Sequence, residues 1–181
     1  MKWIIPGTTL QVDAQEAHNV PELLSSMFLA GDIQLSQVCS VTGLEPYAVQ
    51  NWVKRGYLSP PVKKRYDLEQ LCRIVTINML KPALALEQIC SLLRYVNGDL
   101  EDERDDIIDD SRLYFLFLRL AAYHRQNQNS QEDYLGQLLA DYQEPVPGAR
   151  ERVEKVLRIM LTAWSASQLR LAAERMTNEL L

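Results

Sequence analysis

Gln50 and Asn51 are adjacent, with Tyr47 and Ala48 just before them and Lys54 and Arg55 just after. Side-chain amides can pair through two bonds with an adenine edge, and alanine can touch a thymine methyl. Tyrosine can reach a phosphate or a base, and lysine and arginine can hold the phosphate backbone. A second basic group, Lys63, Lys64 and Arg65, follows shortly after with Tyr66 behind it. Together these residues could read and neutralise a polyanion. An ordinary solvated helix face contains the same residue types, so the elements that carry them have to decide.

Those elements are legible. Leu35, Val38 and Cys39 share one face of a short helix that Thr42-Gly43 ends. Pro46 suits the first position of a second helix, because its missing N–H would have no partner there. Val49, Trp52 and Val53 recur at helical spacing and Gly56 closes that helix, so the pair is expected to form a helix-turn-helix. With the apolar trio inward, Tyr47, Ala48, Gln50, Asn51, Lys54 and Arg55 point away. Pro60 and Pro61 then preclude a helix, and the segment through Lys63-Lys64-Arg65-Tyr66 reads as a tight β-wing. Asp67 and Gln70 form a capping box for a helix whose buried stripe is Leu68, Leu71, Cys72, Val75 and Met79. A further helix runs from Leu86 to Val96, with Leu86, Ile89, Cys90 and Leu93 inward, and Asn97-Gly98 reads as its left-handed cap.

Charge is distributed unevenly over the 181 residues, which sum to -5. From Gln34 to Tyr95 eight basic residues face four acidic ones, whereas residues 1–33 carry -3 and residues 96–181 carry -6. A basic module between acidic flanks places an electrostatic function in a local patch.

The order LSQVCSVTGLEPYAVQNWVKRGYLSPP, KRYDLEQLCRI and LALEQICSLL resembles the winged helix-turn-helix domain of the MerR family of bacterial regulators over about residues 34–95. The whole chain, including NGDLEDERDDIID, also resembles a bacterial MerR-like family catalogued only as a domain of unknown function. The resemblance implies that the second helix lies in the major groove of double-stranded DNA. Tyr47, Ala48, Gln50 and Asn51 would then meet bases, while Lys63, Lys64 and Arg65 hold phosphates. Many relatives have an arginine followed by aromatic residues where this chain has Gln50, Asn51 and Trp52, so neither the target sequence nor promoter twisting carries over.

The remaining chain is read more coarsely. A strand at Trp3 to Ile5 and a helix near Pro21 to Ala30 make up an N-terminal extension, residues 1–33. The acidic run DLEDERDDIIDD lacks the ligand alternation and glycine of a calcium loop, so residues 98–110 read as a solvated linker. Ile107 to Gln126 reads as helix with Leu113, Phe115, Leu116 and Leu120 buried. Ser130 caps a short helix, and Ala149 to Leu181 is a long one. Residues 111–181 are therefore expected to be an α-helical oligomerisation or sensing domain. Val153, Leu157, Met160, Trp164 and Leu171 follow coiled-coil-like spacings and are expected to pair two copies as a homodimer; packing of the same seam on the Leu113 to Leu120 helix is the alternative.

Cys39, Cys72 and Cys90 fall on apolar positions without a CxxC or a nearby histidine, so neither a disulfide framework nor a zinc site is expected. His18 and His124 are isolated and no phosphate loop or triad can be placed, so an enzyme is not expected and no cofactor is implied. No apolar run reaches the roughly 18 residues of a membrane helix and no signal peptide is evident, so the expected location is cytoplasmic. The expected protein is mostly α, a sequence-specific DNA-binding transcriptional regulator with an effector of unspecified chemistry. The alternatives are an excisionase-like architectural DNA-binding protein and a helical adaptor using Tyr47, Tyr57 and Tyr66.

Overall fold

The computed structural model describes residues 2–98, 100, 106–126 and 131–180, with backbone alone for 131–133. The described chain is mostly helical. An N-terminal hairpin of β1 (Lys2–Ile4) and β2 (Gln11–Asp13) leads through a 3-10 turn, Ala14–Asn19, into α1 (Val20–Ser26). After β3 (Ile33–Gln34) come α2 (Leu35–Thr42), α3 (Pro46–Lys54), β4 (Arg65–Tyr66), α4 (Leu68–Leu80) and α5 (Leu86–Asn97). The remaining helices are α6 (Asp110–Gln126), α7 (Gln131–Leu138) and α8 (Ala149–Asn178).

The local signals act where the sequence places them. Gly43, at φ 68°, terminates α2, and Asp67 and Gln70 exchange both bonds of the capping box that starts α4. Gly98 departs from expectation: its φ of 58° is positive but its ψ of -131° lies outside the left-handed helical region, so α5 does not end in the expected left-handed cap.

Helix α4 is the axis of the fold. Leu71 through Ile77 are all buried, because α2 and α5 cover some of its faces while α6 and α8 cover others. A helix buried on all its faces belongs at the centre of a core, and the buried polar side chains Gln70 and Arg73 of α4 are hydrogen-bonded there. The four segments expected from the sequence consequently share one continuous apolar cluster, which runs from Trp3 and Ile5 through Val49 and Trp52 to Phe117 and Trp164.

The solvated linker is corrected at its C-terminal end. Ile107 and Ile108 are buried, Asn97 donates through Nδ2 to the Ile108 carbonyl at 2.6 Å, and the Ile107 N–H donates to Val96. Two consecutive isoleucines among carboxylates had somewhere apolar to go. Residues 99 and 101–105 of the acidic run, and Ser130, lie outside the described residues.

The expected dimer seam is also corrected. Val153, Leu157, Met160 and Trp164 are buried within one chain, where the Trp164 ring meets Phe117 of α6 edge-on at 6.0 Å; of that set only Leu171 is exposed. The alternative packing prevails because α6, α5 and α4 all pack on α8 and cover the seam positions as far as Trp164.

Candidate nucleic-acid interface

The polar face of α3 is built by what lies beneath it. Val49 and Trp52 are buried in the same apolar cluster as Val38, Val41 and Leu44 and α3 packs on α2, which leaves Tyr47, Gln50, Asn51 and Lys54 facing outward. Tyr47 is 72% exposed and Ala48 half-buried beside it. Asn78 of α4 holds the turn before α3 in place, donating through Nδ2 to the carbonyls of Thr42 and Gly7 at 2.9 Å each.

Beyond α3 the chain returns along α4. Gln70 donates through Nε2 to the carbonyls of Ser59 and Pro60 at 3.0 and 3.1 Å, and Arg73 donates through Nε to the Tyr57 carbonyl at 2.9 Å. Val62 and Arg65 then close a tight turn, with the Arg65 N–H on the Val62 carbonyl at 2.9 Å. Lys63 and Lys64 occupy its two central positions at φ 50° and 63°. Two left-handed residues in a row are the geometry for which Asn-Gly is favoured, and each side chain with a Cβ pays a steric penalty there. Both lysines are exposed at the tip.

The ten predicted contact residues separate into three groups. Tyr47, Gln50, Asn51, Lys54, Lys63 and Lys64 are exposed, with Ala48 half-buried among them. Arg55 and Arg65 are exposed but engaged. Arg55 reaches Glu87 of α5 at 2.7 Å and lies 4.6 Å over the Tyr57 ring, while Arg65 donates through Nη1 to the Asp32 carbonyl at 2.7 Å. Tyr66 is a correction: it is 3% exposed, pairs with Ile33 across β3 and β4, and burial pushes its hydroxyl above the usual value. Strand alternation turns Tyr66 inward when Arg65 turns out.

Glu87 was not legible as a participant. Its carboxylate accepts from both Arg55 and the Tyr57 hydroxyl, and its own backbone, then Arg55 and Tyr57, hold it below the usual range. No sequence spacing joins residues 32 positions apart. The cysteines are unremarkable thiols: Cys72 and Cys90 are buried, Cys39 is half-buried, and burial raises all three. Among the described residues no group of three or more His, Cys, Asp or Glu could hold a metal, and no helix is long and apolar enough to cross a membrane.

The family described as "Domain of unknown function (DUF1836)" matches residues 19–117, more than half of the chain, and the chain belongs to it. That span opens at the end of the 3-10 turn and closes inside α6, so it crosses the expected boundaries at residues 34, 98 and 111. The chain is similar to the uncharacterized protein YkrK of Bacillus subtilis (strain 168), 27% identical over 112 residues, or 59% of this chain; the match spans about half of that relative, 48%. No solved structure matches. These findings overturn the resemblance to MerR-type regulators: the family is defined without a function and neither match carries a MerR designation.

Proposed function

We propose that this member of a family of unknown function is a sequence-specific, double-stranded DNA-binding regulator of transcription. In this reading α2 and α3 act as a helix-turn-helix, α3 enters the major groove, and the Val62 to Arg65 turn is a wing on the flanking backbone. One observation carries the proposal: Lys63 and Lys64 are held at an exposed hairpin tip in backbone conformations that cost a lysine energy. Strained residues persist where function requires them, and two adjacent cations on a turn suit phosphates. Gln50 and Asn51 supply the base-reading groups on the neighbouring helix.

The reading includes two copies on a two-fold site, since one small module reaches only a few base pairs. Met176, near the end of α8, and Leu180, just beyond it, are exposed and offer apolar surface for that pairing outside the filled seam.

Selection of random duplex DNA on the purified chain tests the proposal. Enrichment of a palindrome supports a paired regulator, enrichment of bent sites without a common motif favours an architectural role, and the absence of any enrichment points to the helical adaptor.

A further inference from the structure

An open groove of about 720 Å³ runs between the N-terminal hairpin and the C-terminal half of α8. Its volume is within the usual range of roughly 300 to 1,000 Å³ for small-molecule sites. Its lining is mostly apolar, with Trp3, Ile4 and Met79 from the hairpin and α4 and Trp164, Leu169 and Leu171 from α8. Ser165, Ser167 and Gln168 add polar groups on the α8 side. Ile4, Leu169 and Leu171 are 56%, 73% and 41% exposed, an unusual amount of open aliphatic surface in one place.

The ionic character of the groove is one-sided. Lys2, Arg125 and Arg175 line it, and no acidic residue does so among the described residues, although the whole chain carries -5. Arg125 lies 5.7 Å over the Trp3 ring, which sets a guanidinium against the apolar wall. A mostly apolar groove whose charged lining side chains are all cationic complements a molecule with a hydrophobic body and a carboxylate head.

We infer that this groove binds a hydrophobic carboxylate, with its chain or ring against Trp3, Met79 and Trp164 and its head among Lys2, Arg125 and Arg175. The groove is tied to the turn before α3. Gly7, at its edge, sits so close to α4 that a Cβ would lie 2.3 Å from the Val75 carbonyl oxygen. Asn78 joins the Gly7 carbonyl to that of Thr42, and Thr9 donates its N–H to Val41 and its hydroxyl to Ser40. A ligand that braces the N-terminal hairpin therefore braces the end of α2. The binding claim stands without the DNA reading; only the use of that link to modulate α3 rests on it.

The test uses the full chain without DNA and three probes: decanoate, decylammonium and acetate. Trp3 and Trp164 report on the groove, so decanoate should give a saturable change in tryptophan fluorescence with a dissociation constant below about 1 mM, with neither acetate nor decylammonium matching it. Lys2→Glu with Arg175→Glu should weaken decanoate at least about tenfold with unchanged far-ultraviolet circular dichroism. Both residues are exposed, and Lys2→Gln with Arg175→Gln serves if charge reversal disturbs folding. Decanoate should also slow amide exchange at Thr9. Decylammonium binding as well as decanoate, no saturation, or indifference to both double variants would overturn the site. Unchanged exchange at Thr9 in the saturated protein would overturn the link while leaving the DNA proposal untouched.

Discussion

Arg73 of α4 and Asp110 at the start of α6 form an ion pair at 3.0 Å with only 5% and 13% of their side chains exposed. Arg73 also holds the Tyr57 carbonyl below the candidate wing, so one buried guanidinium ties the segment after α3 to the start of α6. Burial raises the Asp110 carboxyl and Arg73 opposes that shift. Replacing one partner leaves the other buried and uncompensated. Asp110→Ala is expected to cost about 3–5 kcal/mol in chemical denaturation, and Arg73→Met with Asp110→Leu to cost clearly less.

The wing turn separates stability from binding. Lys63→Asn with Lys64→Gly places favoured residues at φ 50° and 63°, and should stabilise the fold by about 1 kcal/mol or more. In the proposed complex the same change would remove two phosphate contacts, so the log–log salt dependence of DNA affinity should flatten by roughly 2 units, similarly on all sequences. A variant both more stable and unaltered in DNA binding would remove the wing from the interface.

Base reading is tested on α3. Gln50→Ala or Asn51→Ala should lose on the order of 1–3 kcal/mol at the selected site and almost nothing on random duplex. Trp52→Ala, at a buried position, should instead cost about 3–5 kcal/mol of stability and abolish binding by unfolding. Equal loss for Gln50→Ala on both DNAs would mean that α3 does not read bases.

In the proposed DNA complex Glu87 would compete with phosphate for Arg55. Releasing that arginine by Glu87→Gln should tighten binding to any duplex and steepen the salt dependence by about 1 unit. Filter binding at several salt concentrations measures both; an unchanged slope would show that Arg55 faces no phosphate.

Glu69 gives a pH signature. Burial raises its carboxyl above the ordinary 4.5, with the Ser111 N–H and hydroxyl opposing. A carboxyl whose folded value is raised takes up a proton in the native state before the unfolded chain does, so it contributes a gain in stability as pH falls from neutral towards 4.5. Thermal melts of Glu69→Gln should lack that gain, and a variant retaining the full rise would assign it elsewhere.

The legibility of the sequence followed the range of the interactions. The turn at Gly43, the Asp67 capping box and the inward set Val49 and Trp52 are decided within a few residues, and they could be read directly. Tyr66 was misplaced because inward or outward in a two-residue strand depends on its partner Ile33, not on neighbouring charges. The seam from Val153 to Trp164 has one spacing for two destinations, another copy or α6, and only the shape of the core distinguishes them. The bonds from Glu87 to Arg55 and from Asn78 to Thr42 join residues with no local relation, so nothing in the chain announced them.

The Tyr114 hydroxyl donates to the Pro6 carbonyl across 108 positions, and the buried Ile5 next to it belongs to the same core as α6. On the ribosome, the N-terminal hairpin therefore emerges long before the α6 hydroxyl that donates to its Pro6 carbonyl. A fragment ending near Gly98 remains permanently at that stage, with much of α4 uncovered. The segment that carries α2 and α3 is thus bound into the core it shares with α6, and a nascent chain halted before α6 should be a chaperone client.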